Sequence, residues 1–484
     1  MTLANGRERP ASPPPELAVR EIAAVCGGIV IRGDPAASAR GVTVDSRAVS
    51  PGMLFVALRG ERTDGHRFAA EACRRGAAAV LGSVDVPDVP PAVAMIVVPD
   101  TLRALHALAR NVRDRQALRV IGITGSVGKT STKELTAALA GRMFRTVRSP
   151  RNWNTEIGIP LVLANVPSDV EVAVVELAMR GPGQIRELVA VSRPEIGVVT
   201  NVGESHLDFF DGREALAAEK TALVEGLPAD GVAILNAEDA LVLAMRQRTP
   251  ARVLTFGLRE GDVTAGAIRV LAGEGSAFRL HTPAGDAEVL LHLPGRHAVL
   301  NALAAAAAGV ALGVPVEEIA LGLGGASMLP MRLAVRRVGE ITLVDDTYNS
   351  SPQSIEAALN VVDELPGAPR IAVLGDMREL GAVSGDAHRR VGRLVAARRL
   401  DLVIAFGPLA AELAESATEA GAARVTHTLD PAEVLRWLRR ELRPGAVVLI
   451  KGSRALEMER IVAGLEGGTG VGDAAPRGRG LAWA

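Results

Sequence analysis

The sequence predicts an α/β protein of three domains: a small N-terminal α/β domain, a central parallel-sheet domain around a phosphate-binding P-loop, and a C-terminal Rossmann-like α/β domain. Three observations predict it. The chain has 484 residues, more than one hydrophobic core holds. Near-continuous Val/Ile/Leu runs are interleaved with helix-like stretches, the pattern of parallel strands covered on both faces. The strand–helix pattern lengthens after residue 115 and restarts from Pro330, which sets boundaries at 16–115, 116–329 and 330–465.

In the first segment, "VTVDSR", "MLFVAL", "AAAVLG" and "AMIVV" read as strands, and "RFAAEACRRG" and "TLRALHALARNV" as helices. The second opens with strand "RVIGIT", a Gly-rich loop and a helix, then strands "VEVAVVELA", "EIGVVTNV" and "GVAILN". Residues 263–294 read as antiparallel strands before the helix "HAVLNALAAAAAGVAL". In the third, "IAVLGDM", "DLVIAFG" and "AVVLIKG" are strands, and "DPAEVLRWLRREL" opens with Asp430 and Glu433 in capping-box spacing. No repeat of fixed period is found.

Composition bounds the function. A net charge of −1 gives no general pull toward nucleic acid or anionic membrane. Two cysteines, Cys26 and Cys73, lack the spacing of a disulfide framework or zinc site and fit a reducing cytoplasm. The alanine-rich run "ALAAAAAGVALG" is too short to span a bilayer and suits a buried helix. Residues 1–15 lack the apolar core of a signal peptide, and they and the Gly-rich residues 466–484 read as disordered.

"VIGITGSVGKTSTKE" places a Gly-rich turn between a strand and a helix. Backbone amides in such a loop, backed by a helix N-terminus, bind phosphate oxygens. Gly125, Ser126, Val127, Gly128 and Ser131 form the cradle; Lys129 brings a point charge to the phosphates, and Thr130 can offer its hydroxyl to magnesium. Ile123 stands where the usual pattern has its first glycine, with Gly122 and Gly125 flanking it. The loop marks a nucleoside triphosphate site.

Further chemistry falls at strand ends, where parallel sheets bind ligands. Glu176 ends one apolar run as a natural Mg²⁺ ligand, and His206 follows another. Among 54 Lys+Arg only four are lysine: Lys129, Lys133, Lys220 and Lys451. Lys220 lies in a predicted helix starting near Asp211. A primary amine, unlike guanidinium, can lose its proton and take up carbon dioxide as an anionic carbamate, whose oxygens suit hard cations; a solvated helix lysine is the alternative. Lys133 reads as solvent-facing, and Lys451 as either a solvated charge or a functional one.

These motifs, with "TVDSRAVSPGMLFVALRGERTDGHRF", "NWNTEIGIPLVL", "GRHAVLNALAAAAAG", "LVDDTYNSSPQS", "VLGDMRELG" and "LIKGSRALEMERIV", resemble the Mur ligases, ATP-dependent amide-forming enzymes of peptidoglycan precursor synthesis. Within that family the similarity is greatest to the branch that adds D-alanyl-D-alanine to UDP-N-acetylmuramoyl-tripeptide. The resemblance implies an N-terminal UDP-binding domain, a central ATPase domain and a C-terminal domain for the incoming dipeptide. It implies a carbamate on Lys220 and two Mg²⁺ ions near Thr130, Glu176, His206 and Lys220. It places Asn301 at the adenine, Arg332 and Asp346 at the nucleotide, and Asp45, Ser46, Arg47, Asn152, Asn154 and Thr155 on the muramyl substrate. Tyr348 and Asn349 fall in the C-terminal motif as substrate contacts. It implies acyl-phosphate chemistry in a cytoplasmic monomer, with hinges expected near 115 and 330.

Ser350 and Ser351 stand where the branch usually has Ala and Asn, Ala178 where Gly is common, and Ala222 where an acidic residue often follows the lysine. Another ligase of the superfamily, or a non-catalytic nucleotide-binding protein, stays open as an alternative.

Overall fold

The structure, a computed structural model, describes residues 12–60, 63–150, 152–327 and 329–467. Of the expectations for residues 1–15 and 466–484, those for 1–11 and 468–484 lie outside the described residues, and Glu466 is a correction, since it closes helix Glu459–Glu466. The described residues fall into two compact units. One runs to Ala326 without 270–275 and 293–296; the other comprises those two short segments and the chain from Ser327.

The first unit holds two main sheets. The N-terminal one orders Ile29–Arg32, Ala94–Val97, Ala79–Gly82, Leu54–Val56 and Val42–Thr43, parallel except at its Ile29–Arg32 edge. The central one orders Arg252–Phe256, Val232–Asn236, Ile196–Val199, Arg119–Thr124, Val172–Glu176 and Thr146–Arg148, and every pairing is parallel. The strands of the central sheet are buried almost throughout, which explains their unbroken apolar sequence. Each fully buried Val, Ile or Leu contributes about 1.5–3 kcal/mol relative to exposure.

One continuous core joins the two sheets: Leu81, Ile96, Leu105 and Leu108 pack in the same cluster as Val120, Ile159, Leu163 and Val175. Asn165 clamps the Val42 backbone, accepting from its N–H at 2.8 Å and donating to its carbonyl at 2.9 Å. The compact units therefore divide near residue 327, while the chain near residue 115 lies inside one unit. Helix Thr101–Asp114 is capped by Asp100, which accepts from the amides of Leu102 and Arg103. Strands Gly275–Thr282 and Gly285–Leu291 pair antiparallel as expected, and Ala302–Gly309 of helix Arg296–Leu312 are buried. Among the described residues, no helix is long and apolar enough to cross a membrane.

The second unit has one six-stranded sheet: Ala334–Val338, Ile341–Asp346, Val447–Lys451, Arg370–Gly375, Leu402–Phe406 and Val425–Thr428, parallel except for the first pair. Successive residues alternate between two cores. Val344, Ala372, Leu374 and Leu449 face helix Pro352–Glu364, whereas Leu343, Ile371, Val373 and Val448 face helices Pro431–Glu441 and Glu459–Glu466. Covering both faces is the doubly wound arrangement expected of a Rossmann-like domain.

Two local readings need correction. "VTVDSR" is a strand only over Val42–Thr43; Asp45 then caps a 3-10 turn, Ser46–Ala48, because its carboxylate takes the Arg47 amide. Asp430 does cap its helix, but Glu433 does not return to the Asp430 amide. That amide donates to the Thr428 hydroxyl at 3.0 Å, and the same hydroxyl donates to Glu433, so Thr428 relays the bond.

Candidate active site

The phosphate loop follows strand Arg119–Thr124 and ends at Gly128, whose φ of +83° opens helix Lys129–Ala140. Ile123 is a buried strand residue, so the special backbone begins later than the usual pattern places it. Gly125 carries the close approach: a Cβ there would lie 1.9 Å from the Thr200 hydroxyl. At Gly128 a Cβ would lie 2.3 Å from the Asn301 carboxamide oxygen, so the structure brings Asn301 against the loop.

Two residues not singled out in the sequence build this loop. Asn201 accepts from the Ser126 amide with its backbone carbonyl at 3.0 Å and from the Val127 amide with its side chain at 2.9 Å. The Thr200 hydroxyl donates to the Val127 carbonyl at 2.7 Å. Both sit just past strand Ile196–Val199, inside the apolar run "EIGVVTNV". Ser126 in turn accepts the Gly203 amide at 2.8 Å. The Lys129 ammonium donates to the carbonyls of Gly125 at 2.8 Å and Ser126 at 2.9 Å.

Helix Lys129–Ala140 grips the neighbouring strand Val172–Glu176 at its carboxyl end. The Thr130 hydroxyl donates to Glu176 Oε2 at 2.7 Å, and Asn154 donates its carboxamide N–H to Oε1 at 3.0 Å. Glu176 is buried. Lys133 is a correction. It is 0% exposed and donates to the Ser149 carbonyl at 2.7 Å, while the Ser149 hydroxyl accepts the Glu176 amide. One helical turn after Lys129 the sheet is the neighbour, which sequence spacing alone does not reveal.

Lys220 lies in helix Gly212–Glu225, 1% exposed, and among the described residues no hydrogen bond or ion pair to it is present. Burial pushes its ammonium pKa well below the ordinary lysine range; the Lys129 charge adds to this and Glu219 partly opposes it. The solvated-lysine alternative therefore fails. His206 precedes the 3-10 turn Leu207–Phe209 in a left-handed conformation, φ +70°, several residues past its strand. Among the described residues no three His, Cys, Asp or Glu side chains converge as a cation site. The hydroxyl of Thr130 and the carboxylate of Glu176 do fit a hard cation, but a full oxygen shell needs donors outside that set.

Asp45, Ser46 and Arg47 form a group of their own contacts. Asp45 is held low in pKa by the Arg47 guanidinium, which bonds it through Nε and Nη2 at 2.9 Å each. Ser46 donates to Glu71 at 2.8 Å. Asn152 and Thr155 are exposed in the loop that carries Asn154.

In the second unit, Asp346, Asn349 and Lys451 come together. Lys451 is 1% exposed, which excludes the solvated reading; it pairs with Asp346 at 2.6 Å and donates to the Asn349 carbonyl at 2.8 Å. The Arg332 guanidinium lies over the Tyr348 ring, 3.8 Å from its centroid. Ser351 caps helix Pro352–Glu364 in a capping box with Ser354, which accounts for a Ser where Asn is usual: both are strong N-caps. Among the described residues the buried Ser350 hydroxyl has no hydrogen-bond partner, and nothing in the structure explains the serine there.

The comparisons agree over most of the chain. Residues 38–113 match the family model described as Mur ligase family, catalytic domain; 123–309 match the Mur ligase middle domain; 331–454 match the Mur ligase glutamate ligase domain. The UDP-N-acetylmuramoyl-tripeptide–D-alanyl-D-alanine ligase of Escherichia coli K12 is 38% identical over 435 residues, 88% of this chain and 93% of that one. The Bacillus subtilis enzyme of the same name is 35% identical, with the same two coverages. A crystal structure of MurF from Acinetobacter baumannii superposes with a TM-score of 0.88 at 31% identity, covering 94% of this chain and all of that one. The Thermotoga maritima MurF ligase in complex with ADP gives 0.79 at 29% identity, covering 89% and 97%. On this evidence the chain belongs to the Mur ligase family, on its UDP-N-acetylmuramoyl-tripeptide–D-alanyl-D-alanine ligase branch.

Proposed function

We infer that the protein is an ATP-dependent ligase joining D-alanyl-D-alanine to UDP-N-acetylmuramoyl-tripeptide, releasing ADP and phosphate in peptidoglycan precursor synthesis. The observation that carries this is similarity over nearly the full length to relatives of that one name. The phosphate loop beside the Thr130–Glu176 pair gives it a chemical basis. We assign residues 16–115 to the UDP-muramyl end, 116–329 to ATP and 330–465 to the incoming dipeptide, in a cytoplasmic monomer.

A carboxylate of the tripeptide attacks the γ-phosphate of ATP, forming an acyl phosphate and ADP. The dipeptide amine then attacks the acyl carbon, and the tetrahedral intermediate collapses with loss of phosphate. Protein work in phosphoryl transfer is mainly positioning and charge stabilisation. The glycine-shaped loop, residues 125–128, with Ser131 receives the phosphates, Lys129 exchanges its carbonyl contacts for phosphate oxygens, and Asn301 meets the base. Arg332 and Asp346 serve the nucleotide; Tyr348 and Asn349 serve the substrate side. Asp45, Ser46, Arg47, Asn152 and Thr155 hold the muramyl substrate, and Asn154 links that loop to Glu176.

Thr130, Glu176, His206 and a carbamate on Lys220 would hold two Mg²⁺ ions, which supply Lewis-acid neutralisation of phosphate charge. Lys220 fits that role because burial, reinforced by the Lys129 charge and only partly opposed by Glu219, favours its neutral amine, the form that takes up carbon dioxide.

Phosphate release measured with UDP-muramyl tripeptide, ATP and Mg²⁺, with and without D-alanyl-D-alanine, tests the assignment. Release should require the dipeptide. Dependence on a different amino acid, or none on either, would reject it.

A further inference from the structure

We propose that Lys451 is a positioning residue that presents Arg332 to the nucleotide, acting through Asp346 and the segment that carries Tyr348; this rests on the reading above that Arg332 serves ATP. Arg332 sits between two residues in the left-handed region, Met331 at φ +63° and Leu333 at φ +50°. That conformation is sterically unfavourable for an L side chain and persists only where surroundings impose it.

The surroundings are specific. The Leu333 amide donates to Asp346 Oδ1 at 3.1 Å, and the Tyr348 amide donates to the Met331 carbonyl at 3.1 Å. The Arg332 guanidinium then stacks on the Tyr348 ring. Both anchors depend on where residues 346 to 349 lie, and one ammonium ties the two ends of that segment. Lys451 donates to Asp346 Oδ2 at 2.6 Å and to the Asn349 carbonyl at 2.8 Å. The adjacent Asp345 cannot substitute, because Thr347 and Arg336 already engage its carboxylate.

The choice of lysine supports the role. With 54 Lys+Arg and four lysines, fifty basic positions are arginine, yet this one is not. A compact ammonium can serve two acceptors from a site 1% exposed, whereas a planar guanidinium needs more room. Asp346 is thereby neutralised and oriented at once, with Oδ2 on the ammonium and Oδ1 on the strained turn.

Tyr348 is the only tyrosine, so 3-fluorotyrosine labelling gives one ¹⁹F resonance reporting the Arg332 stack. Arg332→Ala marks the unstacked position. Lys451→Met should move the resonance toward it and raise the KM for ATP about tenfold, with kcat changed less. The double variant Asp346→Asn/Lys451→Met leaves no unpaired buried charge and should fold even if the single variant does not; it should show the same displacement. A merely structural lysine would lower the melting temperature without moving the resonance of the folded protein. An unmoved resonance in either folded variant overturns the positioning role. A moved resonance in Lys451→Met with an unchanged KM for ATP overturns the nucleotide role of Arg332, and the proposal with it.

Discussion

The hydroxyl of Thr130 donates to Oε2 of Glu176 at 2.7 Å, joining the first turn of the phosphate-loop helix to the end of the neighbouring strand. Both residues are buried, and Asn154 holds the other carboxylate oxygen. The contact sets a hydroxyl and a carboxylate side by side next to the loop, where a triphosphate's magnesium would need hard oxygen donors.

Glu176→Gln keeps the shape of this site and removes its charge. Ligase turnover should fall about 10²–10³-fold, and the Mg²⁺ concentration for half-maximal rate should rise. A steady-state magnesium titration reads both, and circular dichroism should be unchanged. A variant with wild-type magnesium dependence would remove Glu176 from the metal site.

Lys220 gives a pH prediction. Its folded-state pKa is depressed by burial first, and the unfolded chain recovers the ordinary value of about 10.4. Between the two, the unfolded chain binds more protons, so this residue's contribution makes stability rise with pH. In buffer depleted of carbon dioxide, the urea midpoint of the wild type should rise from neutral toward alkaline pH relative to Lys220→Met. With ¹³C-bicarbonate, a carbamate resonance should appear in the wild type and not in the variant. Lys220→Ala should keep the fold and lose nearly all turnover.

Gly128→Ala should be more damaging than its one methyl group implies. The Cβ would meet Asn301 at 2.3 Å, and φ is +83°. Left-handed strain alone costs about 1–2 kcal/mol. Adding Asn301→Ala opens space but leaves the strain, so the double variant should recover little thermal stability. Differential scanning calorimetry of the single and double variants checks this.

Ser351 should tolerate the residue usual in its branch. Ser351→Asn keeps an N-cap acceptor for the Ser354 amide and should change stability by only a few tenths of a kcal/mol. Ser351→Ala should cost about 1 kcal/mol. Chemical denaturation separates the two, and a dipeptide KM unchanged in Ser351→Asn would show that this position serves the helix and not substrate choice.

Much of the site was legible because its chemistry is local in sequence. A strand, Gly125, Gly128 and Lys129 lie within a dozen residues, and apolar runs end at Glu176. Partners brought in by the sheet were not legible. Thr200 and Asn201 hold the phosphate loop from about 75 residues away, and only the parallel pairing of Ile196–Val199 with Arg119–Thr124 sets them there. Lys133 looked solvent-facing for the same reason: helical spacing from Lys129 says which way it turns, not what lies on that side.

Composition and motif order alone determined the α/β class, the triphosphate loop, the family and the identity of the four lysines. Tertiary structure alone decided that Lys133, Lys220 and Lys451 are buried, that Lys451 pairs with Asp346, and that Asn301 packs on Gly128. The physical reason is that local backbone preference and apolar pattern are written over a few residues. Desolvation and hydrogen-bond partnership depend on which distant segments fold against them.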